Sequence, residues 1–216
     1  MEVDNSTARV YLVDDEFAVR DSLMLLIEST GLQIKSFDSA EAFLNNYNPA
    51  HPGCLILDVR MPLMGGLELQ EELSARHINI PIIFISGNAD IPDSAKAFRA
   101  GALDFMEKPF DNSILLERID EAIKKDIEVR KQQVEKQKIQ ECFNRLTVRE
   151  KEVLQLIISS HSNKEAARIL DISHRTIDAH RARVMEKMHA ESVAALVAMV
   201  MSYELLNNSS SSAEIH

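Results

Sequence analysis

Four short apolar runs in the first half of the chain each end in polar or ionisable residues, and this repeated ending restricts the fold more than any other feature. Tyr11-Leu12-Val13 ends in Asp14-Asp15 and Leu55-Ile56-Leu57 in Asp58. Ile82-Ile83-Phe84-Ile85 ends in Ser86-Gly87, and Phe105-Met106-Glu107 in Lys108-Pro109. Short continuous apolar runs read as strands buried on both faces. The spacing predicts strands over 10–13, 34–37, 54–57, 82–85 and 103–106. Between and after them the apolar period becomes helical, with helices expected over about 17–30, from 40, over 67–76, over 92–100 and from 113. Gly31, Gly101 and Pro109 punctuate the element ends, and Ser39 stands where a cap is needed.

Five strands alternating with five helices imply a parallel sheet covered on both faces, an α/β flavodoxin-like (βα)5 domain. In open parallel sheets, ligands bind outside the carboxyl ends of the strands. One rim would therefore carry Asp14, Asp15, Asp58, Ser86 and Lys108. A single Asp at a strand end is an ordinary cap or turn residue. Three at neighbouring strand ends, with a Lys opposite, are not. Clustered carboxylates repel unless a cation compensates, and Mg²⁺ is satisfied by two carboxylates, a carbonyl and waters. Such a pocket suits phosphoryl transfer, with Asp58 as a carboxylate nucleophile that becomes an aspartyl phosphate.

The charge is unevenly divided. Residues 1–126 carry a net −11 and residues 127–216 a net +1, which argues for two domains with different partners. The chain lacks a run long enough to span a membrane and lacks a signal-peptide pattern at Met1-Glu2-Val3-Asp4-Asn5, so a cytoplasmic protein without membrane contact is expected. Cys54 and Cys142 have no pairing pattern and read as reduced thiols. Around Lys124–Gln140 charges interleave with sparse apolar residues at Leu116, Ile119, Ile123, Ile127 and Val134. That segment reads as a solvated helical linker or, alternatively, as a short dimeric coiled coil.

The last third is helical by pattern. Thr147-Val148-Arg149-Glu150 and Ser162-Asn163-Lys164-Glu165 are capping boxes, and Ser173 opens a third helix after a brief turn at Asp171-Ile172. Helix, short turn and helix is the geometry of a helix-turn-helix. Residues 163–170 would be the positioning helix and 173–188 the recognition helix. Ile172, Ile177, Val184 and Met188 fit its inward face. The DNA-facing candidates are Lys164, Arg175, Thr176, Asp178, Ala179, His180, Arg181, Arg183 and Lys187. Arg and Lys would neutralise phosphates, while Asp178, Ala179 and Ala182 could face base edges.

The combination Asp14-Asp15, Asp58, Ser86 and Lys108-Pro109 resembles the receiver domain of two-component response regulators over about residues 8–126. Leu146–Leu154, Ser162–Ala167 and Thr176–Arg181 resemble the LuxR-type helix-turn-helix. The whole chain is therefore similar to FixJ/NarL-family regulators: a receiver domain over 8–122, a helical linker over 123–142, an all-α four-helix helix-turn-helix domain over 143–206 and a disordered tail over 207–216. The resemblance implies that Asp58 is the phosphoacceptor from a cognate histidine kinase. It also implies that Mg²⁺ is held by Asp15, Asp58 and the Arg60 carbonyl, with Asp14 acting through a water. Ser86 would be the switch hydroxyl, Phe105 the switch aromatic, and the Lys108–Pro109 peptide cis. Arg60 and Asn88 flank the pocket at positions where family members differ along with their hydrolysis rates. Two departures stand out: Ser159-Ser160-His161 stands where Gly is common and His189 where Gly or Asn often ends the recognition helix, and because a non-Gly residue at positive φ is costly, looser caps are expected there.

The reading that follows is a transcription regulator that binds double-stranded DNA and forms a homodimer when phosphorylated. A phosphotransfer module whose helical tail binds another protein is the alternative. An aspartyl-phosphate hydrolase is disfavoured, because the position two residues beyond Asp58 holds Arg60 instead of an acid. The chain is expected to catalyse only its own phosphorylation and dephosphorylation.

Overall fold

The computed structural model describes residues 8–87 and 91–212, so the expectation for Asn88 lies outside the described residues. The chain divides into two compact units, Met1–Lys131 and Gln132–His216.

In the first unit, strands β1 (Arg9–Val13), β2 (Gln33–Phe37), β3 (Gly53–Asp58), β4 (Ile82–Ser86) and β5 (Asp104–Glu107) alternate with helices α1 (Phe17–Glu28), α2 (Ala40–Asn46), α3 (Gly66–Ala75), α4 (Ile91–Arg99) and α5 (Asn112–Asn144). All strand pairs are parallel, in the order β2-β1-β3-β4-β5. Side chains alternate across a strand, and the two faces make two cores. Val10, Leu12, Cys54, Ile56, Ile83 and Ile85 pack with Leu23 and Ile27 of α1 and Leu115, Ile119 and Ile123 of α5. Tyr11, Leu55, Leu57 and Phe84 pack with Phe43 of α2, Leu69 and Leu73 of α3 and Ala97 of α4. The expected (βα)5 order is therefore the observed one, with bounds that move by a residue or two.

The segment expected as a helical linker, 123–142, lies within α5. Ile123 is buried in the first unit and Ile127 packs against the same core. Asp126, only 2% exposed, accepts a hydrogen bond from the Gly53 backbone N–H at 2.8 Å and one from Arg130 Nε at 2.7 Å. Arg130 donates in turn to the Pro49 carbonyl at 2.6 Å. This polar latch binds α5 to the start of β3 through Asp126 and to the preceding loop through Arg130. Burial, with the Asp126 charge adding to it, pushes the neighbouring Cys54 thiol far up. Gly53 is required at this place: a Cβ there would lie 1.9 Å from the Arg9 carbonyl oxygen.

The second unit holds the end of α5 with α6 (Val148–Ile158), α7 (Asn163–Leu170), α8 (His174–Lys187) and α9 (Val193–Ser212). Val153, Leu154, Ile157, Ala166, Ile177, Val184, Met188, Leu196 and Val200 form its core. Both capping boxes form, and Ser173 accepts from the Thr176 N–H at 3.1 Å. Asp171 makes the α7–α8 turn in the left-handed region, φ 51°, the conformation Asn and Asp tolerate best among non-Gly residues. Ser160 (φ 60°) and His189 (φ 50°) adopt positive φ. Of the tail read as disordered from composition, residues 207–212 continue α9 and residues 213–216 lie outside the described residues. Prolonging an existing helix avoids the nucleation cost, and Ser is only modestly worse than Ala within one. Among the described residues no helix is long and apolar enough to cross a membrane.

Glu150 is 2% exposed. One carboxylate oxygen accepts from Lys187 Nζ at 2.7 Å and from the Thr147 N–H at 2.8 Å. Chiefly through Lys187, these bonds hold its carboxyl at about 2, against an ordinary 4.5. A depressed carboxyl contributes stability above its unfolded value, and that contribution disappears as pH falls through the folded one.

Two outcomes follow from these contacts. Gly53→Ala forces β1 and β3 apart and lowers the stability of the first unit by about 3 kcal/mol, as for overpacking against backbone, measurable by urea unfolding. The urea midpoint of the second unit, followed by circular dichroism, drops as pH falls from 4.5 towards 2, and drops less in Glu150→Gln.

Candidate functional site

Strand register builds the carboxyl rim. Val13 pairs with Leu57, so the next residues, Asp14 and Asp58, leave neighbouring strands at the same level. Ser86 ends β4 opposite Glu107, which places Lys108 one residue beyond β5. The Lys108 N–H donates to the Ser86 carbonyl at 2.7 Å, and the Lys108–Pro109 peptide is cis, as expected. Lys108 Nζ then lies 2.7 Å from Asp14 Oδ2 and 2.8 Å from Asp58 Oδ1, with Glu16 Oε1 at 3.8 Å.

The remaining carboxylate oxygens are held by backbone. Asp14 Oδ1 accepts from the Glu16 N–H at 2.8 Å, and Asp58 Oδ2 from the Arg60 N–H at 2.7 Å. Arg20 of α1, which sequence reasoning missed, donates to the Asp14 carbonyl at 2.7 Å and stacks over Phe17. Gly66 lets the start of α3 approach: a Cβ there would be 2.2 Å from the Asp58 carbonyl oxygen. Ser86 is buried, Asp15 is exposed, and Phe105 is half-buried with its ring 6.1 Å from that of Phe84. Asp14 thus bonds Lys108 directly. The shared register with Asp58 brings it to the ammonium, while Asp15 turns outward at the start of α1.

One ammonium serves two buried carboxylates. Burial raises the Asp58 carboxyl above the ordinary range, and the Asp14 charge adds to this against the opposing pull of Lys108. Burial also works against the Lys108 ammonium, but its bonds to Asp14 and Asp58 outweigh that and raise it. The rim therefore stays short of positive charge. The ligand atoms it offers are oxygens, the set a hard cation prefers. Among the described residues no three His, Cys, Asp or Glu side chains converge on a metal position, so a cation here needs carbonyl and water oxygens to complete its shell.

In the second unit, α8 follows α7 through the Asp171 turn, as a helix-turn-helix requires. Lys164, Arg175, Thr176, Ala179 and Arg183 are exposed, and Arg181 is half-exposed. Two of the expected DNA-facing residues are otherwise engaged, and a third is half-buried. Asp178 accepts from Asn163 Nδ2 at 2.5 Å and faces His174 Nδ1 at 3.1 Å. His180 is half-buried, and its Nδ1 has no partner among the described residues. Lys187 gives its ammonium to buried Glu150 and to the Arg145 carbonyl. A window of sequence could not show Asn163, Glu150 and Arg145 as partners, because they lie outside α8.

Comparison with known proteins agrees with both halves. Residues 10–120 match the response regulator receiver domain family, whose members generally bind Mg²⁺ at their phosphorylation site and take phosphate from a histidine kinase. Residues 144–200 match the bacterial regulatory proteins of the luxR family, which implies DNA as a partner. The chain is 44% identical to the response regulator protein TmoT of Ectopseudomonas mendocina over 87% of this chain and 86% of that one. It is 39% identical to the transcriptional regulatory protein FixJ of Bradyrhizobium diazoefficiens over 92% and 97%. Among solved structures, the response regulator StyR superposes with a TM-score of 0.85 at 40% identity, covering 91% of this chain and all of that one. A parallel sheet with an acidic carboxyl rim, followed by a helix-turn-helix, places this chain among the two-component response regulators of the FixJ type, transcription regulators made of a receiver domain and a LuxR-type DNA-binding domain.

Proposed function

We propose that Asp58 is the phosphoacceptor and that its phosphorylation controls dimerisation and DNA binding. The observation that carries this reading is the Lys108 ammonium held at 2.8 Å from Asp58 and 2.7 Å from Asp14. A carboxylate oxygen of Asp58 attacks the phosphorus of a kinase phosphohistidine. The new P–O bond forms as the P–N bond breaks, and the electron pair returns to the imidazole. Lys108 and the Ser86 hydroxyl each take one oxygen of the transferred group. Mg²⁺ would be held by the exposed Asp15 carboxylate, Asp58 and the Arg60 carbonyl, with Asp14 acting through a water, and would supply charge neutralisation for the transferred group. Ser86 moves toward the phosphoryl oxygen, and Phe105 follows into the space this leaves against Phe84.

The reaction stops at the protein itself. Two residues beyond Asp58 stands Arg60, which stays charged and cannot act as a general acid, so turnover of external phosphate esters is not part of the function. Arg175, Arg181, Arg183 and Lys164 would supply phosphate contacts, with Thr176 and Ala179 near base edges. A homodimer places two recognition helices in successive major grooves. Partners of this kind put the protein in the cytoplasm.

Sedimentation with Mg²⁺, with and without beryllofluoride as a phosphoryl mimic, tests the reading. The mimic should convert the wild-type chain to dimer and leave Asp58→Ala unchanged. Equal behaviour of the two proteins would overturn it.

A further inference from the structure

A lysine near the end of a recognition helix is ordinarily assigned to a DNA phosphate, and sequence alone places Lys187 there. Its surroundings say otherwise. Nζ lies 2.7 Å from Glu150 Oε2 and 3.1 Å from the Arg145 carbonyl, so two of its three N–H donors are already used. The Glu150 side chain is 3% exposed, against 33% for Lys187. Drawing the ammonium out to a phosphate would strand a buried carboxylate, which costs far more than one exposed phosphate contact returns.

The partners also matter by position. Arg145 is the first residue past α5, and Glu150 is the third residue of α6, closing its capping box with Thr147. One ammonium in the last turn of α8 therefore ties that turn to the α5–α6 corner and to the first turn of α6. Its charge also suits the carbonyl end of α8. At the opposite end, α8 is tied to α7 through Asp178 and Asn163, but there in the open. Between the two ties, α8 is held by Ile177, Val184 and Met188.

We infer that Lys187 is a positioning residue: it fixes the carboxyl end of the recognition helix through Glu150 and Arg145, and it makes no phosphate contact. The inference rests on α8 being the DNA-binding helix. Arg183, one turn earlier and exposed, is the contrasting phosphate contact.

The test uses the full chain and a duplex selected from a random pool by the wild-type protein. Affinity is measured across a salt series. Each phosphate contact adds about one unit to the slope of log K against log salt. Lys187→Met should weaken binding several-fold with the slope unchanged, and adding Glu150→Gln, which removes the stranded charge, should restore most of the affinity. Arg183→Met should flatten the slope by about one unit. A slope lowered by Lys187→Met, with no rescue by Glu150→Gln, would assign Lys187 to the DNA and overturn the inference. Amide exchange of residues 183–188 without DNA reads the same tie independently. It should quicken in Lys187→Met and recover in the double variant, and unchanged exchange would overturn the inference even if no duplex is bound. Failure of the wild-type chain to select any duplex would instead count against DNA binding by α8.

Discussion

The first unit is arranged around an ammonium placed between two carboxylates. For Lys108 to reach both Asp14 and Asp58, β1 and β3 must be neighbours in the register that aligns Val13 with Leu57, and β5 must end beside β4. The parallel order β2-β1-β3-β4-β5 meets these demands. It also puts every reactive group at one rim, because parallel strands all end on the same side. The loops are fixed to the same point. Arg20 holds the Asp14 carbonyl, the Arg60 N–H holds Asp58, and Gly66 allows α3 to start against the Asp58 backbone. A shift of one residue in either strand would turn a carboxylate to the opposite face of the sheet and leave the ammonium buried beside one partner.

Much of this was legible in the sequence, because the signals are local. The apolar runs, the capping boxes and the polar strand ends each sit within a few residues, and they specify strands, helix starts and the rim. What was not legible depends on residues distant in the chain. Asp126 reads as one more charge in a solvated linker until it is seen on Gly53, 73 positions away. Glu150 reads as half of a capping box, and Lys187, 37 positions on, as part of a basic stripe. The pair is visible only once α6 and α8 pack. Asp14 and Asp15 are adjacent and chemically identical, so composition cannot say which one meets Lys108; the end of β1 decides it. The run over 207–212 illustrates the reverse case, where residue preferences favour irregular structure and the helix already running through Tyr203 carries on through them.

The two units each bury a carboxylate against a lysine, with opposite results. Glu150 has Lys187 to itself with a backbone N–H in support, and its carboxyl is held down to about 2. Asp58 shares Lys108 with Asp14, and its carboxyl stands above the ordinary range. Lysine is common to both, so the difference comes from desolvation and from the second carboxylate. A balanced pair in a closed site gains nothing from a further ligand: any ion brought to it must first displace a satisfied partner. An acidic site with one cation for two anions is different. It is relieved by added positive charge. Charge deficit, more than carboxylate number, is what separates a site open to a further cation from one that holds a helix still.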